Sequence, residues 1–180
     1  MARSVPPFPG FNAGGAAEPF ELSWELFGEL CRVLALRVAR EYQPELVVGI
    51  AKAGVLPAAI IASILRVDFF CMKISRRSGD ALVRSQPEVF GTAPPQVAGR
   101  RVLLVDELTT SGDTLRLALA AVRDVGPAEV RTATTFARTY GYHPDFFALE
   151  NDAMIVFPWD RQVLQEGELV THPVYREVLG

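Results

Sequence analysis

Apolar residues are distributed along the chain in two patterns, and each pattern predicts one kind of element. Between residues 23 and 41 they recur every three or four positions, which is the spacing of one helix face. Ser23 stands at the start of this segment, where its hydroxyl can cap the first turn. Helices are also predicted over residues 55–66, with a mainly apolar surface, and over about 112–125. The second pattern is the short, nearly continuous apolar run, which predicts a buried strand. Such runs lie at residues 45–50, 68–75, 101–105 and 129–137.

Strands and helices alternate, which predicts an α/β fold with a central parallel sheet flanked by helices on both faces. Ligands in such sheets bind beyond the carboxyl ends of the strands. Two unusual segments fall at that edge: the tight turn Ala51–Gly54 and the polar segment Asp106–Thr114 each follow a predicted strand. We therefore expect the two segments to form one binding site.

Two longer segments show neither pattern. Residues 76–99 contain turn-forming residues throughout and have no sustained period, and loops of this length are usually functional or disordered. Residues 1–21 are rich in Pro, Gly and Ala, which predicts a loose N-terminal arm. The sequence shows no internal repeat.

Composition limits the class of protein. A chain of 180 residues with 49% hydrophobic and 22% charged residues is typical of one soluble globular domain. The net charge of −3 gives no general reason to bind nucleic acid or an anionic membrane, and no apolar run reaches the length of a membrane helix. The N-terminus lacks the apolar centre of a signal peptide. Cys31 and Cys71 lie inside apolar patterns, which predicts buried thiols in a reducing cytoplasm.

The segment after the strand at 101–105 carries the most specific chemistry. Two carboxylates, Asp106 and Glu107, precede a group of small polar residues made up of Thr109, Thr110, Ser111, Gly112 and Thr114. Hydroxyls and free amides at the start of a helix suit a phosphate, which two acids alone would repel. A phosphosugar resolves the conflict, since the carboxylates can accept hydrogen bonds from neighbouring ribose hydroxyls. The alternative is a structural one, in which the acids and hydroxyls merely stabilise a helix N-terminus.

The run "VLLVDELTTSGDT", residues 102–114, resembles the phosphoribosyl-diphosphate signature of the type I phosphoribosyltransferases. The resemblance implies that Asp106 and Glu107 hold the ribose hydroxyls of the donor. It implies that Thr109, Thr110, Ser111, Gly112 and Thr114 surround its 5-phosphate.

"VVGIAKAG", residues 47–54, resembles the pyrophosphate loop of the same family. Lys52 would then meet the leaving group, with Ala53 and Gly54 supplying the tight backbone. The alternative is a plain turn with an exposed lysine. Lys73 stands where the family often has a lysine near the pyrophosphate, although an ordinary edge lysine fits equally well. Residues 76–99 match the flexible loop that closes over the family's active site.

"HPDFFALENDAMIVFPWDR", residues 143–161, is similar to the hood of the xanthine–guanine and hypoxanthine branch. By that match Met154 covers the base and Ile155 offers its backbone, while Trp159 either packs the hood or stacks on the base. Arg138 stands where the branch has a lysine that contacts the purine 6-oxygen, and a cation favours an oxo over an amino group because it only donates. The predicted organisation is an arm at 1–21, a core at 22–140 that includes the loop 76–99, and a hood with tail at 141–180.

Two residues depart from that branch. Thr110 stands where the branch has an aspartate that handles the proton of the purine imidazole, and a threonine cannot act as a base near neutral pH. Asp113 adds a carboxylate beside the proposed phosphate, which is unfavourable unless its side chain points away.

The resemblance implies transfer of the 5-phosphoribosyl group from 5-phosphoribosyl 1-diphosphate to a nucleobase, with release of pyrophosphate, and a 6-oxopurine acceptor as in purine salvage. Mg²⁺ would be held mainly through substrate and water, with Asp106 and Glu107 as its candidate protein ligands. The expected partners are the donor, the base and a nucleoside monophosphate, without nucleic acid or membrane, and the expected assembly is a cytoplasmic homodimer.

Three alternatives remain at this stage. The first is a regulatory protein of the same fold that senses the donor or a nucleotide without catalysis. The second is transfer to a pyrimidine or another amine. The third is a different sugar-phosphate or nucleotide enzyme, such as a P-loop kinase, which would need a lysine directly after the loop glycine, whereas Asp113 follows Gly112.

Overall fold

The computed structural model describes residues 18–75, 77–78, 81–82, 88–90 and 92–179. The strands are β1 (Phe20–Glu21), β2 (Leu46–Ala51), β3 (Asp68–Ser75), β4 (Arg77–Ser78), β5 (Ala81–Leu82), β6 (Glu88–Phe90), β7 (Arg101–Thr109), β8 (Glu129–Ala137), β9 (Phe146–Glu150), β10 (Ile155–Val156), β11 (Gln162–Gln165) and β12 (Glu168–Thr171). The α-helices are α1 (Trp24–Glu41), α2 (Val55–Leu65), α3 (Asp113–Asp124) and α4 (Arg176–Leu179), and short 3-10 helices lie at Pro95–Val97 and Pro173–Tyr175. No helix among the described residues is long and apolar enough to cross a membrane.

The chain forms two compact units, residues 28–151 and residues 1–27 with 152–180, of which the described parts are considered separately. The larger unit contains a six-stranded sheet in the order β6-β3-β2-β7-β8-β9. Strands β3, β2, β7, β8 and β9 are parallel to one another, and β6 pairs antiparallel with β3 at one edge. The predicted central parallel sheet is confirmed.

Helices cover both faces of this sheet, as predicted. Successive strand residues point to opposite faces, so Val47 and Val48 belong to different cores. On the first face Val47 and Leu103 pack with residues of α1 and α2, including Leu34 and Ile61. On the second face Val48 packs with residues of α3. The sheet is therefore buried on both sides, and its strands can be apolar almost throughout.

The third parallel strand is longer than the sequence indicates. β7 continues through the two acids to Thr109, and its pairing with β8 includes Asp106 with Thr134 and Leu108 with Phe136. The expectation that the strand ends at residue 105 was wrong, because pairing with β8 outweighs the polar side chains. The polar loop begins only at Thr110.

The segment 76–99 contains more regular structure than the sequence predicts. Its described residues include β4 paired with β5, and β6 paired with the end of β3. Residues 76, 79–80, 83–87 and 91 lie outside the described residues, so the flexibility of this loop stays a prediction.

The second unit joins a strand from the N-terminal part of the chain to one from the C-terminal part. β1 pairs in parallel with β10, where Phe20 is opposite Ile155, so the predicted loose arm was wrong for its last residues. The rest of the arm, residues 1–17, lies outside the described residues. β11 and β12 form an antiparallel hairpin in the same unit.

The predicted start of the hood at residue 141 does not match these units. Phe146–Glu150, which the sequence pattern placed in the hood, forms the edge strand β9 of the main sheet. Phe146 is only 1% exposed, because it packs into the first core face. Residues from Asp152 onwards belong to the other unit.

Candidate active site

The turn after β2 and the acids of β7 are in direct contact. A Cβ atom placed on Gly54 would lie 2.6 Å from Oδ1 of Asp106 and 2.8 Å from its Cα. Only a residue without a side chain allows the backbone after β2 to come this close to β7. The two segments that the sequence assigned to one site therefore meet at the carboxyl end of the sheet.

Asp106 is a buried carboxylate at this edge of the sheet. The residue is 8% exposed, and its Oδ1 accepts a hydrogen bond from the backbone amide of Glu107 at 3.0 Å. Burial, and then the neighbouring carboxylate of Glu107, raise the pKa of Asp106 well above its ordinary value. An aspartate in this state gains from a ligand that brings hydroxyl donors or positive charge.

The loop after β7 leads into α3 in a form that leaves helix amides available. Gly112 is the N-cap residue with φ of 79°, the left-handed region that glycine adopts without cost, and it has no side chain to cap the helix. The amide of Asp113 donates to Oγ of Ser111 at 3.4 Å. The first amides of a helix lack partners within the helix. Ser111, Gly112 and Thr114 thus lie around a helix N-terminus of the kind that binds phosphate.

Asp113 does not oppose a phosphate as strongly as its position in the sequence implies. Its Oδ2 accepts a hydrogen bond from the hydroxyl of Ser111 at 2.9 Å, and its Oδ1 lies 3.4 Å from Nη1 of Arg116. The same Arg116 nitrogen donates to the carbonyl of Ser111 at 2.7 Å. The extra carboxylate is partnered within the first turn of α3.

Thr109, which the resemblance places at the phosphate, is the last residue of β7 and is 4% exposed. Its Oγ1 has no hydrogen-bond partner among the described residues. A buried hydroxyl without a partner costs about 1–3 kcal/mol, so a ligand or water that reached it would be favoured. The assignment of Thr109 to the phosphate stays a prediction.

The two lysines assigned to the pyrophosphate lie at the same edge of the sheet. Lys52 follows β2 directly and is exposed, and the peptide bond that joins Ala51 to it is cis. Lys73 is exposed and is opposite Ala51 in the pairing of β2 with β3. Ala53 continues the turn that leads to Gly54 and α2.

Arg138 follows β8 at the same edge. Its Nη1 donates a hydrogen bond to the carbonyl of Asn151 at 2.6 Å, and the amide of Asn151 donates to the carbonyl of Ala137 at 3.0 Å. The guanidinium is therefore tied to the backbone that follows β9. Sequence analysis found Arg138 through its place in the pattern but gave no signal for Asn151.

Met154 and Ile155 belong to the second unit. The carbonyls of Met154 and Val156 accept hydrogen bonds from Phe20 and Leu22 at 2.8 and 3.0 Å. Because backbone groups alternate in direction along a strand, the amide and carbonyl of Ile155, between these two residues, point away from β1. The assignment of Met154 and Ile155 to the base stays a prediction.

Trp159 packs within the same unit, where its ring centroid lies 4.7 Å from that of Phe157 and 4.9 Å from that of Phe27. A third ring, that of Trp24, lies at 5.9 Å. These contacts favour the packing role over the base-stacking role.

Sequence analysis missed the segment that contacts the loop at residues 110–112. The amide of Tyr142 donates to the carbonyl of Thr110 at 3.0 Å, and the Tyr142 ring lies against Gly112. Gly141 packs so closely on the Thr110 carbonyl that a Cβ there would overlap it. The combination of a positive-φ glycine and an aromatic residue is too common to identify this role from sequence.

Comparison with known proteins identifies the family of this chain. Residues 22–166 match the family model described as phosphoribosyl transferase domain. The xanthine-guanine phosphoribosyltransferase of Nitratidesulfovibrio vulgaris strain DP4 is 30% identical over 161 residues, which are 86% of this chain and 92% of that protein. Among solved structures, the purine phosphoribosyltransferase of Pyrococcus horikoshii has a TM-score of 0.70 and 23% identity, and the alignment covers 83% of this chain and 99% of that one. The Helicobacter pylori xanthine-guanine-hypoxanthine phosphoribosyltransferase has a TM-score of 0.65 and 21% identity, with coverage of 79% and 93%.

The chain belongs to the phosphoribosyltransferase family, whose members are glycosyltransferase enzymes. Within that family its resemblance is to the purine branch, as the sequence motifs predicted.

Proposed function

We propose that this protein transfers the 5-phosphoribosyl group from 5-phosphoribosyl 1-diphosphate to a 6-oxopurine and releases pyrophosphate. The observation that carries the proposal is the contact of Gly54 with Asp106, which joins the turn after β2 to the acids of β7. The helix N-terminus at Gly112 follows the same strand. The segments to which we assign pyrophosphate, ribose and 5-phosphate are thus grouped at one edge of the sheet, which supports the proposal.

Each group of the donor has a proposed partner. The ribose hydroxyls donate to Asp106 and Glu107, which offsets the burial and the repulsion from Glu107 that raise the pKa of Asp106. The 5-phosphate accepts from the amides and hydroxyls of residues 110–114. Lys52 and Lys73, both exposed at the end of the sheet, stabilise charge on the departing pyrophosphate.

In the transfer a base nitrogen attacks the anomeric carbon, and the bond from this carbon to the pyrophosphate oxygen breaks. The electron pair leaves with pyrophosphate, positive charge develops on the sugar, and the base releases its ring N–H proton to solvent. The protein contributes mainly by positioning the reactants and by placing carboxylates near that charge.

The carboxylates fit a Mg²⁺ ion that is held chiefly by the substrate. Asp106 and Glu107 offer the oxygen ligands that this ion prefers, and their mutual repulsion favours a cation. No group of three His, Cys, Asp or Glu side chains within the described residues forms a complete metal site. Bound in this way, Mg²⁺ would neutralise charge on the pyrophosphate.

Arg138, and the similarity of residues 143–161 to the hood of the 6-oxopurine branch, support a 6-oxopurine acceptor. Arg138 is held by Asn151 and can only donate hydrogen bonds, which favours an oxo over an amino substituent. Met154 would cover the base, and the backbone of Ile155 would read its edge. The names of the similar proteins, which refer to xanthine, guanine and hypoxanthine, agree with this class. A cytoplasmic location and a homodimer stay predictions.

The test is pyrophosphate release in the presence of donor and Mg²⁺ with a panel of guanine, xanthine, hypoxanthine, adenine, uracil and orotate. We expect release with at least one 6-oxopurine and none with the pyrimidines. The double variant Asp106→Asn with Glu107→Gln is the matched inactive control, because it keeps the size of both side chains. Release with orotate or uracil alone would contradict the acceptor class, and no release with any base would contradict transfer.

Thr110 allows a sharper test of the acceptor. A general base typically contributes about 10²–10⁴-fold, so Thr110→Asp should raise turnover with 6-oxopurines and give no comparable gain with adenine. Thr110→Asn is the control of similar size that cannot take a proton. Donor affinity must be measured in both variants, because a new carboxylate can repel the phosphate. Loss of 6-oxopurine turnover in Thr110→Asp with intact donor binding would contradict the placement of the base.

A further inference from the structure

The backbone of the proposed phosphate loop is held from one side by the turn between β8 and β9. Tyr142 donates its amide to the Thr110 carbonyl, and its ring leaves no room for a side chain at Gly112. Gly141 contacts the same carbonyl. Two points of the loop, at Thr110 and at Gly112, are thereby fixed by consecutive residues of one turn.

Arg116 completes this support from α3. Its guanidinium lies 4.9 Å from the centre of the Tyr142 ring and donates to the carbonyl of Ser111 at 2.7 Å. Tyr142 also packs against the core that α3 shares with the sheet. The Tyr142 ring is therefore held by Arg116 and the core, and it contacts the loop on Gly112.

We propose that Tyr142 and Arg116 are positioning residues that hold the loop at residues 110–112 in its phosphate-binding form and so determine affinity for a 5-phosphate group. The inference rests on the proposed function, because that function places the phosphate at this loop. Neither side chain needs to touch the substrate. They act by keeping the loop in its binding form, because a loop that adopts this form only a tenth of the time binds phosphate about tenfold more weakly.

Charge gives Arg116 a second effect in the same direction. The carboxylate of Asp113 lies beside the loop and is compensated by Arg116 at 3.4 Å. Without that cation, an uncompensated carboxylate would oppose the phosphate. Asp113→Asn should therefore restore part of the affinity that Arg116→Met loses.

The experiment compares calorimetric binding of guanosine 5′-monophosphate and of guanosine, which lacks only the phosphate. We expect Tyr142→Ala to weaken binding of the monophosphate by about tenfold and to leave guanosine unchanged, while Tyr142→Phe stays near the wild type. Arg116→Met should weaken the monophosphate by about two- to fivefold. Tyr140→Ala, which removes an exposed tyrosine of the same turn, and Arg123→Gln, on the last turn of α3, are the matched controls.

Thermal unfolding of each variant, measured alongside, identifies a loss of fold, and Arg116→Met keeps the test valid if Tyr142→Ala is unstable. A wild type that binds both compounds equally would overturn the inference together with the proposed function. A wild type that prefers the monophosphate, with variants that keep the same preference, would overturn this inference alone. An equal loss for both compounds in Tyr142→Ala would also overturn it, since the role would then be structural.

Discussion

Replacing Asp106 with asparagine should stabilise the free protein and weaken donor binding at the same time. Asp106 is almost fully buried, and burial together with the charge of Glu107 raises its pKa. At neutral pH the folded chain must either keep this carboxylate charged in a buried site or take up a proton there. Both cost free energy of folding, and the unfolded chain has neither cost. Asparagine has the same shape, and its amide oxygen can keep the hydrogen bond from the Glu107 amide.

The two effects differ in size and in sign. Removing an unfavourable buried charge at a functional site typically stabilises by about 0.5–2 kcal/mol. For a chain of this length that gain corresponds to about 1–8 °C in Tm. Donor binding should weaken by about 1.5–3 kcal/mol, the value of one hydrogen bond to a charged group. That loss is about 10–150-fold in Kd.

The pH dependence separates this mechanism from a general packing effect. Protonated Asp106 contributes stability below the unfolded pKa of about 4, and this contribution is lost as pH rises through the raised folded pKa. The advantage of Asp106→Asn should thus be absent near pH 3.5 and largest at neutral pH. Thermal unfolding across this range and calorimetric titration with the donor are the assays, with the exposed Asp68→Asn as control. A gain that is the same at every pH, or a lower Tm at neutral pH, would refute the reasoning.

Three further changes test separate parts of the structure. Gly54→Ala should destabilise by about 1–3 kcal/mol in urea unfolding, because the new methyl group would lie 2.6 Å from the carboxylate of Asp106, and an unchanged midpoint would contradict that contact. Trp159→Ala should lower the free energy of unfolding by about 2–4 kcal/mol through the loss of its ring contacts. Trp159→Phe should retain most of the stability and of the base affinity. A selective loss of base affinity would instead support stacking. Cys71 is exposed, so the expectation of two buried thiols was wrong for this residue, whereas burial raises the pKa of the Cys31 thiol to about 12. Iodoacetamide at pH 8 should therefore label only Cys71 in the native protein and both cysteines in denaturant. Rapid labelling of two thiols in the native state would show that the core around α1 opens.

The central sheet could be predicted from the sequence because its strands are apolar on both faces. Val47 and Val48 lie on opposite faces, and an unbroken apolar run is the mark of that arrangement. The position of the site at the carboxyl edge of the sheet could be predicted by the same argument, since the turn at Gly54 and the acids at 106 and 107 each lie at the end of such a run. The error at β7 had a physical reason. Pairing with β8 continues through Asp106 to Thr109, and hydrogen bonding of the backbone does not depend on whether a side chain is polar.

The parts that sequence could not supply depend on contacts between distant residues. Arg138 is held by the carbonyl of Asn151, and Thr110 by the amide of Tyr142, and backbone donors and acceptors leave no trace in residue type. β9 was missed for a related reason. Its apolar residues were assigned to the hood by their similarity to a family segment, whereas Phe146 is buried in the main sheet.

The end of β7 concentrates groups that the folded protein satisfies poorly by itself. Asp106 carries a raised pKa three residues before Thr109, whose buried hydroxyl has no partner among the described residues. Natural proteins keep such costs where a ligand relieves them, and the rest of the fold supplies the compensation. A ligand that binds only the folded state stabilises it by about 2.7 kcal/mol at one hundred times its Kd. The donor should therefore raise Tm in the wild type but much less in Asp106→Asn. That variant no longer has a buried carboxylate that a ligand could relieve, and it has lost the charge that accepts hydrogen bonds from the donor.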